Sequence, residues 1–251
     1  MTHHHGDVQP QQGWRTHAEE SLRHLAAVTL AGAASGVLIA GVGARLAMML
    51  LAHVNPFAHG LVSDDGFVIG RLTFTGTVNL LAVGGLLGLL GGAVCTVLRG
   101  VMIGPRWFRV VSVSAGAAVV VGEMLLHTSG VDFVALEPAA LSIALFIAIP
   151  GLYAATLTLL AERWLRPGAW FRRARLQRVA PLLLIWVLAF PLLPLLAGLA
   201  LLWGARELLR RSDRGASSLD GAVLRWLPRT ALAAVFCWSG ARLASEAAVL
   251  I

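Results

Sequence analysis

The chain of 251 residues contains no lysine, and all 20 of its basic residues are arginine. Without a lysine amine no Schiff base to retinal or pyridoxal phosphate can form. A phosphate loop that depends on lysine is excluded as well. Charge of either sign is scarce: Asp, Glu, Lys and Arg make up 13% of the chain, against about a quarter in ordinary soluble domains. The two cysteines, Cys95 and Cys237, lack CxxC spacing and sit inside apolar runs, so they read as small apolar residues with no redox role. No Walker loop, HExxH helix or dinucleotide fingerprint occurs, and none of the chemistry those motifs carry is indicated.

What the chain has instead is apolar length. Leu25–Leu51, Phe74–Leu98, Val110–His127, Ala139–Leu160 and Val179–Trp203 hold only two charged side chains, Arg45 and Glu123. A hydrocarbon layer about 30 Å thick takes about 20 apolar helical residues to cross. The fold class expected is therefore all-α: a polytopic transmembrane bundle of about six spanning helices. Thr230–Ile251, which carries Arg242 and Glu246, is the sixth. A soluble protein could not cover this much apolar surface.

Four regions follow: a polar tail over 1–21, a four-helix unit over 22–161, a basic juxtamembrane segment over 162–178 and a C-terminal pair over 179–251. The tail, with His3, His4 and His5, is not a signal peptide: it is polar, and the first apolar run is too long for one.

The arginines give an orientation. Arg15 and Arg23 precede the first run, Arg71 alone lies in 52–73, and Arg99, Arg106 and Arg109 follow the second run. The loop over 128–138 has none, whereas 161–178 has Arg163, Arg166, Arg172, Arg173, Arg175 and Arg178. Basic loops stay inside, so the amino terminus is expected in the cytoplasm of a cell-membrane protein. The acidic loops, with Asp64, Asp65, Asp132 and Glu137, then face outward.

The last third divides two ways. A fifth span over 179–203 puts the arginines of 204–229 outside, against the trend. A re-entrant hairpin broken at Pro191 and Pro194 keeps both ends inside and lowers the count to five. The tip Ala189–Pro194 has no polar side chain to satisfy a reversal in lipid, so a kinked span is the expectation.

Within the first four runs, Met48–His53 before Asp64-Asp65 resembles Met124–His127 before Asp132, which hints at two related hairpins. Gly84, Gly88 and Gly92, and Gly32, Gly36 and Ala40, form small-xxx-small steps of the glycine-zipper kind. Such faces serve close helix contact within the chain, or a homo-oligomer or membrane-complex seam. Thr73, Thr75, Gly76, Thr77 and Asn79 make one end of the second run polar, a place that borders water or a ligand.

Candidate binding or gating residues follow from cost. Arg45 lies about 9 Å and Glu123 about 6 Å below the outer ends of their runs at 1.5 Å per residue. An isolated ion in hydrocarbon is disfavoured, so the two are expected to pair, as a gate or a structural bridge. His53 and His127 close their runs on the same side. As a haem or metal pair they lack an inner counterpart, so no cofactor and no metal is expected. Asp64, Asp65 and Asp132 are the carboxylates a lipid- or isoprenoid-acting enzyme at the outer leaflet would use, but no nucleophile accompanies them. Arg166, Arg172, Arg173 and Arg175, beside Trp164, Trp170 and Phe171, suit anionic lipid headgroups at the cytoplasmic face. Nucleic acid is not expected, because this cluster lies against the bilayer.

The function expected is that of a small transporter or channel-type protein, or a membrane subunit of a larger complex, in preference to an enzyme. In a background lacking Cys95 and Cys237, single cysteines at positions 64 and 132 should react with an impermeant thiol reagent added outside the cell. Protection of both would reverse the orientation.

Overall fold

The computed structural model describes residues 10–251 except 64, 65, 67, 100, 103, 127–132, 134, 135, 175, 193, 202, 203 and 205–217. Regular structure among the described residues is helical, and a single isolated β-bridge joins Val62 to Val68. Among the described residues, four helices are long and apolar enough to cross a membrane: Glu19–Val54, Phe74–Arg99, Arg106–Leu125 and Ala139–Trp164. They cover the first four apolar runs of the sequence and are compatible with a membrane location.

The first of these helices is not uniform. It begins as α1 (Pro10–Ser35), widens into a π-helix over Gly36–Val42, and continues as α2 (Gly43–Val54). Extra residues in a helical turn shift the faces beyond it, so side chains on α2 are rotated relative to an unbroken α-helix. The π segment carries buried Gly36 and Gly41 and lies where this helix meets α3 (Phe74–Arg99).

That meeting is glycine against glycine. A Cβ on Gly32 would overlap the carbonyl oxygen of Gly88, and one on Gly36 would overlap that of Gly84 and lie 2.7 Å from the Cα of Gly88. One on Gly84 would lie 2.7 Å from the carbonyl oxygen of Gly36. The small-residue faces expected from spacing thus meet each other inside one chain, where close approach yields dispersion contacts that larger side chains would forbid.

The other two long helices, α4 (Arg106–Leu125) and α5 (Ala139–Trp164), pack side by side. Ser114 donates to the carbonyl of Gly151 at 2.7 Å, next to Pro150, which has no N–H to give its own helix. Tyr153, the only tyrosine, joins the pairs: its hydroxyl donates to the carbonyl of Gly88 at 2.9 Å, and its ring occupies the space beside Gly91. At the end of α2, buried Asn55 donates to Leu51 O (3.0 Å) and accepts from Glu137 N (2.9 Å). It thereby ties the loop before α3 to the chain entering α5.

Among the described residues, the fifth and sixth expected spans are not matched by a helix that qualifies. Ala180–Leu192 is a 3-10 helix, and the last helix, α6 (Ser218–Leu250), carries Arg229, Arg242 and Glu246. Their packing is informative. Val179 lies against Ala26 and Ala27 in the second half of α1, and Trp186 Nε1 donates to Thr29 Oγ1 at 2.8 Å. Ile185, Leu192 and Leu196 all pack on the same cluster of Ala33 and Leu89. At roughly 2 Å of rise per residue, Ile185 and Leu196 would be about 20 Å apart on a straight course. Residues on both sides of Pro191 thus return to one cluster.

Helix α6 runs parallel to α4. Arg229 Nε donates to Val101 O (3.2 Å) just before α4 begins. Arg242 meets Glu123 in the last turn of α4, and Leu243 packs with Leu126 and Ile143.

The glycine contact leaves no room for a Cβ at Gly36 and gives a direct expectation. Gly36→Ala should lower thermal stability by about 1–3 kcal/mol, the usual cost of overpacking. Gly116→Ala, whose Cβ meets nothing within 4 Å, should leave stability unchanged or slightly higher. The comparison is made by thermal unfolding of the two purified variants.

Candidate functional site

Among the described residues, and besides the local Arg23–Glu19 pair of α1, charged side chains are engaged at three places. The most enclosed is the arginine-rich end, where α3 and α5 finish and α4 begins. Glu162, in the last turn of α5, has a side chain only 6% exposed. Arg109 Nη2 donates to its Oε1 at 3.0 Å, and Arg106 Nε forms an ion pair with its Oε2. Both arginines occupy the first turn of α4, where the helix dipole disfavours cations; the buried carboxylate offsets that cost. Arg99 ends α3, where the dipole favours it.

Two donors here lack acceptors: Arg99 Nη1 and Arg109 Nε are buried without a hydrogen-bond partner. Arg99, Arg109 and Glu162 line a small cleft with Cys95, Met102, Val113, Thr158 and Ala161. Its enclosed part has room for about one water. Helices α3 and α4 barely touch, so the cleft is the gap between them, with α5 as its floor. Thr158 already donates to Ala154 O at 2.7 Å and presents an acceptor oxygen.

The second place is at the other end of α4. Arg242 Nε lies 3.3 Å from Glu123 Oε1, and Arg242 Nη2 lies 3.5 Å from Glu246 Oε1. The third is Arg45, 7% exposed, whose Nη2 donates to Arg71 O at 2.9 Å. Arg45 and Glu123 are therefore not partners, contrary to the expectation from their depths. The π segment precedes Arg45 and sets the face on which it emerges, toward the loop before α3. Glu123 is met by α6 instead. Depth along a helix was readable from spacing, but direction around it was not.

The remaining candidates are dispersed. His53 is exposed at the end of α2, and Asn79 is exposed on α3. His127, Asp64, Asp65 and Asp132 lie outside the described residues, as does Arg175. Nothing is described of the Arg172 side chain, while Arg166 and Arg173 are exposed. The threonine-rich start of α3 is a helix cap: Thr73 Oγ1 accepts from Gly76 N at 3.2 Å, which satisfies a free N–H of the first turn. Trp164 and Phe171 stack with ring centroids 5.4 Å apart and pack onto Ala26 and Ala27, so these aromatics close the core at this end. Arg166 and Arg173 form no enclosed constellation.

The Glu162 cluster was missed by the sequence reading, which took Arg99, Arg106 and Arg109 only as markers of sidedness. The available signal was a lone glutamate ending an apolar run opposite two arginines spaced i,i+3, which share a helix face. Compared with protein-family models, with curated proteins and with solved structures, the chain matches none.

Double-mutant cycles distinguish real partners from residues that only share a depth. Glu162→Ala with Arg109→Ala should show a coupling of about 1 kcal/mol or more. Glu123→Ala with Arg242→Ala should show about 0.5 kcal/mol, because Arg242 is half exposed. Arg45→Ala with Glu123→Ala should be additive within about 0.5 kcal/mol. A large coupling in that last pair would contradict the arrangement.

Proposed function

We propose that the chain is a multi-pass protein of the cell membrane with its amino terminus in the cytoplasm, working as the membrane subunit of a larger complex. The observation that carries this reading is the way its buried charges are used. Arg45 is held by Arg71 O, Glu123 by Arg242, and Glu162 by Arg106 and Arg109. Each fixes one element against another within the chain. A small transporter or channel would be better served by charges facing one shared path, and Arg45 and Glu123 do not face one another. On α6, Trp226, Leu227, Leu232, Val235, Phe236 and Trp238 are exposed, an apolar surface suited to lipid or to the helices of a partner.

The parallel course of α4 and α6 favours a five-span topology over six. If α4 leaves the cytoplasmic side at Arg106, then α6 leaves the same side at Arg229, and the chain over 180–201 enters the bilayer and returns. This supports the re-entrant reading over the kinked span. Trp186, bonded to Thr29, supplies part of the polar anchoring that the tip sequence lacks. The carboxyl terminus lies outside.

Two measurements test this. A topology reporter fused after Trp226 should be cytoplasmic and one fused after Ile251 external; an external reporter at 226 would restore six spans. After gentle solubilisation the chain should migrate with a second, different polypeptide in fixed proportion. Migration alone, together with solute flux in reconstituted vesicles, would replace the subunit reading with transport.

A further inference from the structure

We infer that the gap between α3 and α4 at the arginine-rich end binds one anionic phospholipid, its phosphate held by Arg99 and Arg109 and an acyl chain lying along Cys95, Met102 and Val113. The assignment to the cytoplasmic leaflet rests on the orientation proposed above; the chemistry of the site does not.

The first argument is the state of the donors. Arg109 spends Nη2 on Glu162 but keeps Nε buried and unpartnered, and Arg99 keeps Nη1 in the same condition. Buried donors without acceptors are costly, charged ones most of all. Both residues line the same cleft, and one acceptor group at its mouth would serve both. A phosphodiester fits: its anionic oxygens match guanidinium forks. Nor is the site neutral, since three arginines, Arg99, Arg106 and Arg109, surround the single carboxylate of Glu162. Thr158 has committed its proton to Ala154 O, so the arginines are the groups that donate.

The second argument is shape. Because α3 and α4 barely touch, the charged rim lies over a gap between two apolar helices, lined by Cys95 of α3, Val113 of α4 and Ala161 of α5, with Met102 beside the rim. A soluble anion needs only the rim. An amphiphile uses the rim and the walls together, and a gap between apolar helices is where lipid would lie. The enclosed part holds about one water, so the phosphate has to sit at the mouth of the cleft that Arg99 and Arg109 line. The more exposed Arg166 and Arg173 offer charge at the same end without walls or fixed geometry.

The test uses the full chain in neutral detergent, followed by thermal unfolding and by native mass spectrometry. Added phosphatidylglycerol should raise the melting temperature by several degrees and leave one retained lipid, whereas phosphatidylcholine should do neither. Arg99→Gln, which removes no partner of Glu162, should lose at least half of the shift and the retained lipid; Arg173→Gln should keep both. If Arg99→Gln does not fold, Arg99→Lys replaces it, and retention of the lipid should still weaken because the fork is gone. Equal stabilisation by phosphatidylcholine would overturn the proposal, as would an undiminished shift in the Arg99 variant. So would millimolar inorganic phosphate giving the whole effect, since the site would then take a free anion. None of these results bears on whether the chain migrates with a second polypeptide, so failure here and failure of the subunit reading are separable.

Discussion

A charge set into an apolar helix has to be met by another group of the chain, because hydrocarbon surroundings offer it none. Three such meetings organise this bundle. Arg45 reaches the carbonyl of Arg71 and holds the loop that leads into α3. Glu162 draws in Arg106 and Arg109 and fixes the start of α4 against the end of α5. Glu123 meets Arg242 and, with Arg229 on Val101 O, makes α6 run beside α4 in the same direction. The last pairing has the widest consequence. Once α6 is parallel to α4, the chain between α5 and α6 has to begin and end at the same side of the bundle.

Between these charged ends the bundle is held by close backbone contact. Gly32 and Gly36 meet Gly84 and Gly88 with no room for a Cβ, and the π segment lies within this contact. Tyr153 connects the glycine-packed pair to α4 and α5 through a hydrogen bond to Gly88 O. The carbonyl that accepts it also forms part of the glycine surface, so one short stretch of α3 serves both neighbours. Where this packing ends, toward Arg99, α3 and α4 part and leave the charged cleft.

Much of the architecture could be read from residues alone. Apolar length located the four long helices, three of them to within a few residues at both ends, because one helical crossing needs a fixed number of residues; the first begins well before its run, at Pro10. Glycine spacing found the close contact, because small residues at i and i+4 share one helix face. The pairing of charges was not legible in the same way. Arg45 and Glu123 match in depth, but a π segment of seven residues precedes Arg45, and no pattern in Gly36–Val42 announces how far it turns the face beyond. The i,i+4 spacing of Arg242 and Glu246 shows a local pair, which forms, but not that Arg242 is also the partner of Glu123. Glu162 passed for the start of a basic segment, because its partners lie more than 50 residues earlier in the chain. The stretch after Val179 is apolar enough for a span, and what its residues touch, Ile185 and Leu196 on one cluster, could not be read from apolar length.

The parallel course of α4 and α6 is the most consequential of these findings, and one disulfide tests it most directly. The position of a Cβ at Gly240 lies 3.7 Å from Val119 Cγ1, close enough for a cysteine pair. In membranes, and in a background lacking Cys95 and Cys237, Val119→Cys combined with Gly240→Cys should oxidise rapidly to an intramolecular disulfide, whereas Val119→Cys with Ala234→Cys should not. Rapid bond formation by the 119–234 pair with none by 119–240 would mean that α6 runs the other way and would contradict the account.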